Sequence, residues 1–70
     1  MKRVIDGQKL RAERANRALT QQRLAALSGL SIATIRGIET GRSGGEPATL
    51  LALSLGLRIP QRRLAAEAER

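Results

Sequence analysis

The spacing of apolar residues between positions 20 and 41 predicts two short helices joined by a tight turn. Leu24 and Ala25 begin an apolar run at helical spacing behind Thr20, and threonine is a favourable residue at a helix N-terminus. Gly29 then stands where a helix ends with a left-handed residue, a conformation that glycine adopts without a Cβ clash. The first helix of the pair is therefore predicted from Thr20 to Ser28.

The second helix of the pair is predicted to begin behind Ser31, which can cap it, and to end at Gly41. Ile35 and Ile38 would form its buried face, and Leu30 would fill the corner between the two helices. Two helices joined by a short glycine-containing turn form the helix-turn-helix unit, whose second helix can enter the major groove of DNA. We expect this unit at about residues 20–40.

Three further helices are predicted around this unit. The first would run from Asp6 to about Ala18, the fourth would begin at Pro47, and the fifth, rich in arginine, would begin at Pro60. The predicted fold is all-α: a compact bundle of five short helices in one domain, residues 1–70, with frayed ends at 1–5 and 66–70. Its core would be purely aliphatic, formed by Leu10, Leu19, Leu24, Ala25, Leu30, Ile35, Ile38, Leu50, Leu53, Leu57, Ile59 and Leu64.

Two leucines of the predicted fourth helix, Leu51 and Leu55, lie off its apolar stripe. They either pack against the fifth helix or form an exposed patch for a partner. The sequence leaves both interpretations open.

The composition argues against enzymatic chemistry. The chain contains no cysteine and no histidine, which removes thiolate metal sites, thiol nucleophiles and the usual general base. The six acidic residues are scattered without the spacing of metal ligands. We therefore expect no catalytic activity, no metal and no cofactor. No segment approaches the roughly 20 apolar residues that span a bilayer, so a cytoplasmic location, in a prokaryotic or phage-infected cell, is the default expectation.

The positive charge of the chain is concentrated in its first part. Residues 1–42 hold nine of the thirteen Lys and Arg residues and three of the six acids, which accounts for six of the seven net positive charges. A one-sided basic field suits a polyphosphate partner, although a charged surface for solubility is the simpler alternative. The chain has no aromatic residue on which single-stranded bases could stack, so duplex DNA fits better than RNA.

The pattern LxxxRxxxxLTQxxLAxxSGLSxxTIxxIExG, from Leu10 to Gly41, resembles the phage repressor/Cro family of helix-turn-helix proteins, also called the XRE family. TLLALSLGLRI at 49–59 is similar to the fourth helix of that family. The resemblance covers about two thirds of the chain and implies a lambda-repressor-like fold. It also implies sequence-specific binding to double-stranded DNA and an internal ion pair between Arg14 and Glu39.

The resemblance assigns roles within the expected DNA interface. Ile32 and Ala33 stand where relatives often carry long polar side chains, and they can touch only the thymine methyl group. In the second helix of the pair, which would recognise the DNA, Arg36 is the one residue that could donate two hydrogen bonds to guanine, but it could equally bind a phosphate. The residues implied at base edges are Ile32, Ala33, Arg36 and Gly37. Those implied at phosphates are Gln21, Arg23, Ser31, Thr34, Arg42 and Ser43, with Lys9 or Arg11 at the edge of the interface.

The function predicted from these observations is a sequence-specific transcriptional regulator, a Cro-like phage protein or other small prokaryotic repressor. The alternatives are an antitoxin-type repressor that also binds a protein toxin, and a protein-interaction module that does not bind DNA. The resemblance also implies a weak homodimer, which could form only when the protein is bound to DNA. Two half-sites would strengthen the weak sequence readout of each copy. Neither a membrane nor a small-molecule ligand is expected as a partner.

Overall fold

The computed structural model describes residues 3–67 of the chain. Within this range the elements follow in the order β1 (Arg3–Ile5), α1 (Gly7–Asn16), α2 (Gln21–Ser28), α3 (Ile32–Glu39), α4 (Pro47–Leu57), a 3₁₀ turn (Gln61–Arg63) and β2 (Ala65–Glu67). The predicted helix-turn-helix is present as α2 and α3. The fold is mostly helical, as predicted, but it holds four α-helices in the described range rather than five.

Side-chain caps and a left-handed glycine set the boundaries of α2 and α3, as the sequence predicts. The Thr20 hydroxyl accepts a hydrogen bond from the Arg23 N–H at 2.9 Å, and the Ser31 hydroxyl accepts one from the Thr34 N–H at 3.1 Å. Gly29 ends α2 with φ of 75°. These contacts satisfy main-chain groups that a helix end would otherwise leave without a partner.

The apolar core of the molecule lies between the four helices and the segments at both ends of the described range, and its side chains are all aliphatic. The side chains that are fully shielded from solvent come from every part of the chain: Leu10, Leu24, Ile35, Ile38, Leu53 and Leu64. Leu19 and Leu30, both predicted inside, are only partly buried and pack against this core. Every fully buried side-chain nitrogen or oxygen in the described residues has a hydrogen-bond partner.

The prediction of a fifth helix is wrong. Pro60 is followed by a single 3₁₀ turn, after which the chain extends into β2 and pairs antiparallel with β1, Ile5 facing Ala65 in the register. The pairing is favoured because it buries Ile5 and Ala65 while the main chains of the two strands bond to each other. Two further main-chain bonds hold β1 in place: Ile5 N–H to the Gly44 carbonyl at 2.7 Å and Asp6 N–H to the Leu64 carbonyl at 2.8 Å.

The strand pair includes part of the two end segments, 1–5 and 66–70, that are expected to fray. Residues 3–5 and 65–67 form the ribbon, whereas residues 1, 2 and 68–70 of that expectation lie outside the described range. β-branched Val4 and Ile5 suit an extended chain better than a frayed or helical one.

The two leucines of uncertain placement are exposed. Leu51 is 46% and Leu55 68% exposed, and Leu27 of α2 is 47% exposed. Packing of Leu51 and Leu55 against a fifth helix is therefore ruled out by the absence of that helix from residues 3–67. None of the helices in this range is long and apolar enough to cross a membrane.

Candidate nucleic-acid interface

Helix α3 presents one side to solvent because its other side is anchored in the core. Ile35 and Ile38 are fully buried. Ala33, Arg36 and Thr40 follow one another at intervals of three and four residues on the opposite side and are exposed. The spacing of the isoleucines thus determines which side chains a ligand can reach.

A shallow depression of about 370 Å³ lies along this exposed side. It is lined by Ala33, Arg36, Gly37, Thr40 and Arg42. Three of the residues assigned to base edges are therefore side by side with one assigned to phosphates. Thr40 was not among the assigned residues, although its position four residues after Arg36 is a signal that could have identified it.

The loop after α3 is fixed to the helix by its main chain. The N–H groups of Arg42 and Ser43 both donate to the Gly37 carbonyl, at 2.8 and 3.1 Å. The Ser43 hydroxyl accepts from the Gly45 N–H at 3.1 Å. Arg42 thus starts from a defined point at the end of the depression, with its own side chain exposed.

An ion pair joins α1 to α3. Arg14 Nε lies 2.7 Å from Glu39 Oε2, and Arg14 Nη2 lies 3.0 Å from Glu39 Oε1. The third nitrogen, Nη1, donates to the Leu19 carbonyl at 2.7 Å. Only 17% of the Arg14 side chain and 3% of the Glu39 side chain are exposed. Arg14 and Glu39 are therefore the pair that the resemblance implies, in a bidentate and largely buried arrangement.

The surroundings of this pair shift the pKa of both groups. Burial by itself raises the pKa of Glu39, but hydrogen bonds from Arg14 and Gln21, together with the charges of Arg14 and Arg11, lower it below its ordinary value. The hydrogen bond to Glu39 raises the pKa of Arg14. Both groups are therefore held in their charged forms.

The Gln21 side chain bonds within the protein, which the assignment to a phosphate does not anticipate. Its Nε2 donates to Glu39 Oε1 at 3.1 Å, and its Oε1 accepts from Arg36 Nε at 3.4 Å. The sequence signal for this arrangement is weak, because Gln21 and Arg36 are fifteen residues apart and lie on different helices.

The remaining assigned residues differ in how accessible they are. Arg23 is exposed at the first turn of α2, whereas Ile32 is half-buried and packs against the core. Ser31 and Thr34 bond to each other through their hydroxyls at 2.9 Å. At the edge, Arg11 is exposed, and Lys9 Nζ donates to the Ala65 carbonyl at 3.0 Å.

Replacing Gly37 by alanine is expected to stabilise the fold by about 0.5–1 kcal/mol, since glycine inside a helix costs conformational entropy. The new Cβ would find its nearest neighbour, Ser43 Cβ, at 4.0 Å, an ordinary contact. Urea unfolding measures the gain. Gly29→Ala is the matched control: its Cβ would meet no atom within 4 Å, but φ of +75° strains alanine, so this variant should lose stability. A loss of stability for Gly37→Ala would show that this position has no room for the added methyl group.

Comparison with known proteins places this geometry in a family. The helix-turn-helix domain family matches residues 7–67. The uncharacterized HTH-type transcriptional regulator RghRB of Bacillus subtilis (strain 168) is 46% identical over 63 residues, covering 89% of this chain. The chain spans only 45% of the length of that relative.

Two solved structures share the fold. The restriction-modification controller protein C.AhdI from Aeromonas hydrophila aligns with a TM-score of 0.78 and 37% identity, over 81% of this chain and 86% of its own. The P22 c2 repressor, in complex with a synthetic operator, aligns with a TM-score of 0.74 and 28% identity over the same shares of the two chains. The resemblance to the phage repressor/Cro proteins is thereby confirmed, and the chain belongs to the helix-turn-helix domain family.

Proposed function

We propose that this protein is a transcriptional regulator that binds double-stranded DNA by placing the exposed side of α3 in the major groove. The observation that carries the proposal is the depression that brings Ala33, Arg36 and Gly37 together with Arg42. A helix docked in this way needs short side chains for close approach and a cation for the phosphates beside it. The operator complex of the P22 c2 repressor and the name of RghRB support the same function.

Base reading in this proposal depends mainly on Arg36. Its guanidinium is exposed and can donate two parallel hydrogen bonds to guanine. Ala33 is short and apolar and suits contact with a thymine methyl group. Gly37 allows the helix to approach closely, and half-buried Ile32 offers only part of its side chain. Direct readout is thus modest, and DNA shape supplies further selectivity.

Phosphate contacts supply most of the affinity in this proposal. Arg42, which lines the depression, and Arg23, exposed at the first turn of α2, supply positive charge for phosphates, and Ser31, Thr34 and Ser43 add hydroxyl groups. Gln21 takes part through its main-chain N–H, which lies at the helix N-terminus where donors have no partner within the helix. A protein bound in this way represses by occupying its operator, in the cytoplasm of a bacterial or phage-infected cell. Two copies on adjacent half-sites would compensate for the modest readout of each.

Removing the positive charge of Arg42 tests the proposal. Binding to a random-sequence duplex should weaken steeply as salt rises, and Arg42→Gln should reduce the slope of log affinity against log salt by about 0.9, the contribution of one released counterion. Fluorescence anisotropy across a salt series measures both.

The matched control is Arg58→Gln. Arg58 is exposed and directly follows α4. Two residues earlier, Gly56 of α4 lies against Leu27 and Ser28. These two residues form the end of α2 that is opposite to Gln21. Its loss should leave the slope unchanged. Absence of binding at low salt would reject the proposed function, and equal effects of the two variants would reject the placement of the interface.

A further inference from the structure

We infer that Gln21 is a positioning residue for Arg36, which it holds by one nitrogen so that the rest of the guanidinium faces the DNA. The inference deepens the proposed function and rests on it. It starts from a continuous series of hydrogen bonds: Arg36 Nε to Gln21 Oε1 at 3.4 Å, then Gln21 Nε2 to Glu39 Oε1 at 3.1 Å. The bidentate contact of Glu39 with Arg14 completes the series.

The direction of each hydrogen bond in this series is fixed by chemistry. The Glu39 carboxylate only accepts, so the amide NH₂ of Gln21 must face it. The Gln21 carbonyl oxygen then points the other way, towards Arg36, whose guanidinium only donates. Turning the amide over would set a carbonyl oxygen against the carboxylate and an NH₂ group against the guanidinium. One orientation of Gln21 therefore satisfies both neighbours.

The series has a rigid base and an exposed end. The Glu39 side chain is 3% exposed and is clamped by Arg14, so the acceptor that orients Gln21 cannot move far. Gln21 itself is half-buried, and Arg36 is exposed. Through Gln21, the buried ion pair thus restricts the conformation of the long Arg36 side chain, which would otherwise sample many rotamers.

The contact leaves the useful part of Arg36 free. Gln21 occupies Nε, while Nη1 and Nη2 form no hydrogen bond to any described residue. These two groups present a pair of parallel N–H donors, the geometry that matches guanine O6 and N7. A glutamine serves here better than a glutamate, because a second carboxylate beside Glu39 would repel both Glu39 and the DNA phosphates.

The test compares Gln21→Leu with a matched control, Gln22→Leu. Gln22 is the same residue type, one position further along α2, and is exposed. The probes are a duplex selected from a random pool by the wild-type protein, its single-base-pair variants and a random-sequence duplex. We expect Gln21→Leu to lower the preference for guanine at the base pair read by Arg36 about three- to tenfold, the effect of losing one hydrogen bond. This loss should exceed any change in affinity for the random duplex, to which Gln21 contributes through its main-chain N–H, and Gln22→Leu should alter neither quantity.

A double-mutant cycle then separates positioning from direct contact. In the Arg36→Ala background, Gln21→Leu should cause no further loss of discrimination. Losses that multiply would overturn the inference, and so would an equal loss on the random duplex, which would indicate a phosphate contact of Gln21 itself.

A measurement without DNA checks the same contact. In ¹⁵N NMR spectra, Gln21→Leu should shift the Arg36 Nε–Hε resonance and speed its exchange with water, whereas Gln22→Leu should do neither. An unchanged resonance would overturn the inference whatever the DNA results. If the wild-type protein bound no duplex, the proposed function would fail together with this inference. If it bound normally and Gln21→Leu behaved like the control, this inference alone would fail.

Discussion

Replacing Arg14 by alanine is expected to lower the free energy of unfolding by about 3–5 kcal/mol, the cost of leaving a buried charge without its partner. Glu39 is the charge left behind, with only 3% of its side chain exposed. Arg14→Ala also removes the hydrogen bond to the Leu19 carbonyl, which joins α1 to the start of the helix-turn-helix. In a domain of this size such a loss corresponds to a fall in Tm of well over about 10 °C.

The control for this prediction is another paired arginine, the one that directly follows α1. Arg17 contacts Glu13 at 2.7 Å, but its side chain is 33% exposed, and Glu13 keeps Arg63 as a second partner. We expect Arg17→Ala to cost less than about 1 kcal/mol, as for surface ion pairs in general. Thermal and urea unfolding of the two variants decide the matter. Equal losses, or a Tm of Arg14→Ala within half a degree of wild type, would contradict the prediction.

The same ion pair makes stability depend on pH in the acid range. The pKa of Glu39 is lowered by folding, so its contribution is fully present above the ordinary carboxyl value of 4.5 and is lost as pH falls below it. The variant Glu39→Gln should be less stable at neutral pH and should show a flatter loss of stability under acid conditions. Urea unfolding at a series of pH values measures both.

Replacing Gly7 by alanine is the second large effect that we expect, a loss of about 1–3 kcal/mol through overpacking. The added Cβ would collide with the carbonyl oxygen of Ile38 and would lie 3.2 Å from Glu39 Cα. Both obstacles belong to the main chain of α3, which cannot yield as a flexible side chain can. Helices α1 and α3 would have to separate, and the Arg14 contact with Glu39 spans the same junction.

Urea unfolding of Gly7→Ala beside Gly37→Ala checks this prediction, because the two variants add the same methyl group with opposite expected signs. The gain in helix propensity from alanine is shared by both and is at most about 1 kcal/mol. If Gly7→Ala were as stable as the wild type, α1 and α3 would be packed less closely than the structure indicates.

The helix-turn-helix was predictable because its signals are local. Thr20, Gly29 and Ser31 mark helix ends through contacts with residues at most four positions away, and Ile35 and Ile38 fix the buried side of α3 by their spacing. The family resemblance placed Ala33 and Arg36 on the outer part of this helix, and both residues are exposed. Such features depend on the chain within one or two helical turns.

The strand ribbon was not predictable from local pattern. β1 and β2 are three residues each and are stabilised by partners about sixty positions away. The arginine-rich stretch behind Pro60 has helix propensity, but Leu64 and Ala65 are buried only if the chain extends beside Ile5. Tertiary pairing therefore overrides propensity at this end of the molecule.

The internal role of the Gln21 side chain was hidden for a related reason. A glutamine at a helix N-terminus is equally suited to a phosphate and to a neighbouring side chain. The choice depends on Glu39 and Arg36 of α3, whose distance from Gln21 only the fold establishes. The half-buried position of Ile32 likewise follows from the packing of α3 against the core, which only the fold establishes.

The antiparallel register of Arg3 with Glu67 brings the two termini of the folded unit side by side. Segments joined directly to Arg3 and to Glu67 consequently leave from the same edge, so a fluorophore and a purification tag attached at these two residues would be neighbours. A circularly permuted version would need only a short linker between these two residues, because the linker would span only the distance between two paired strands.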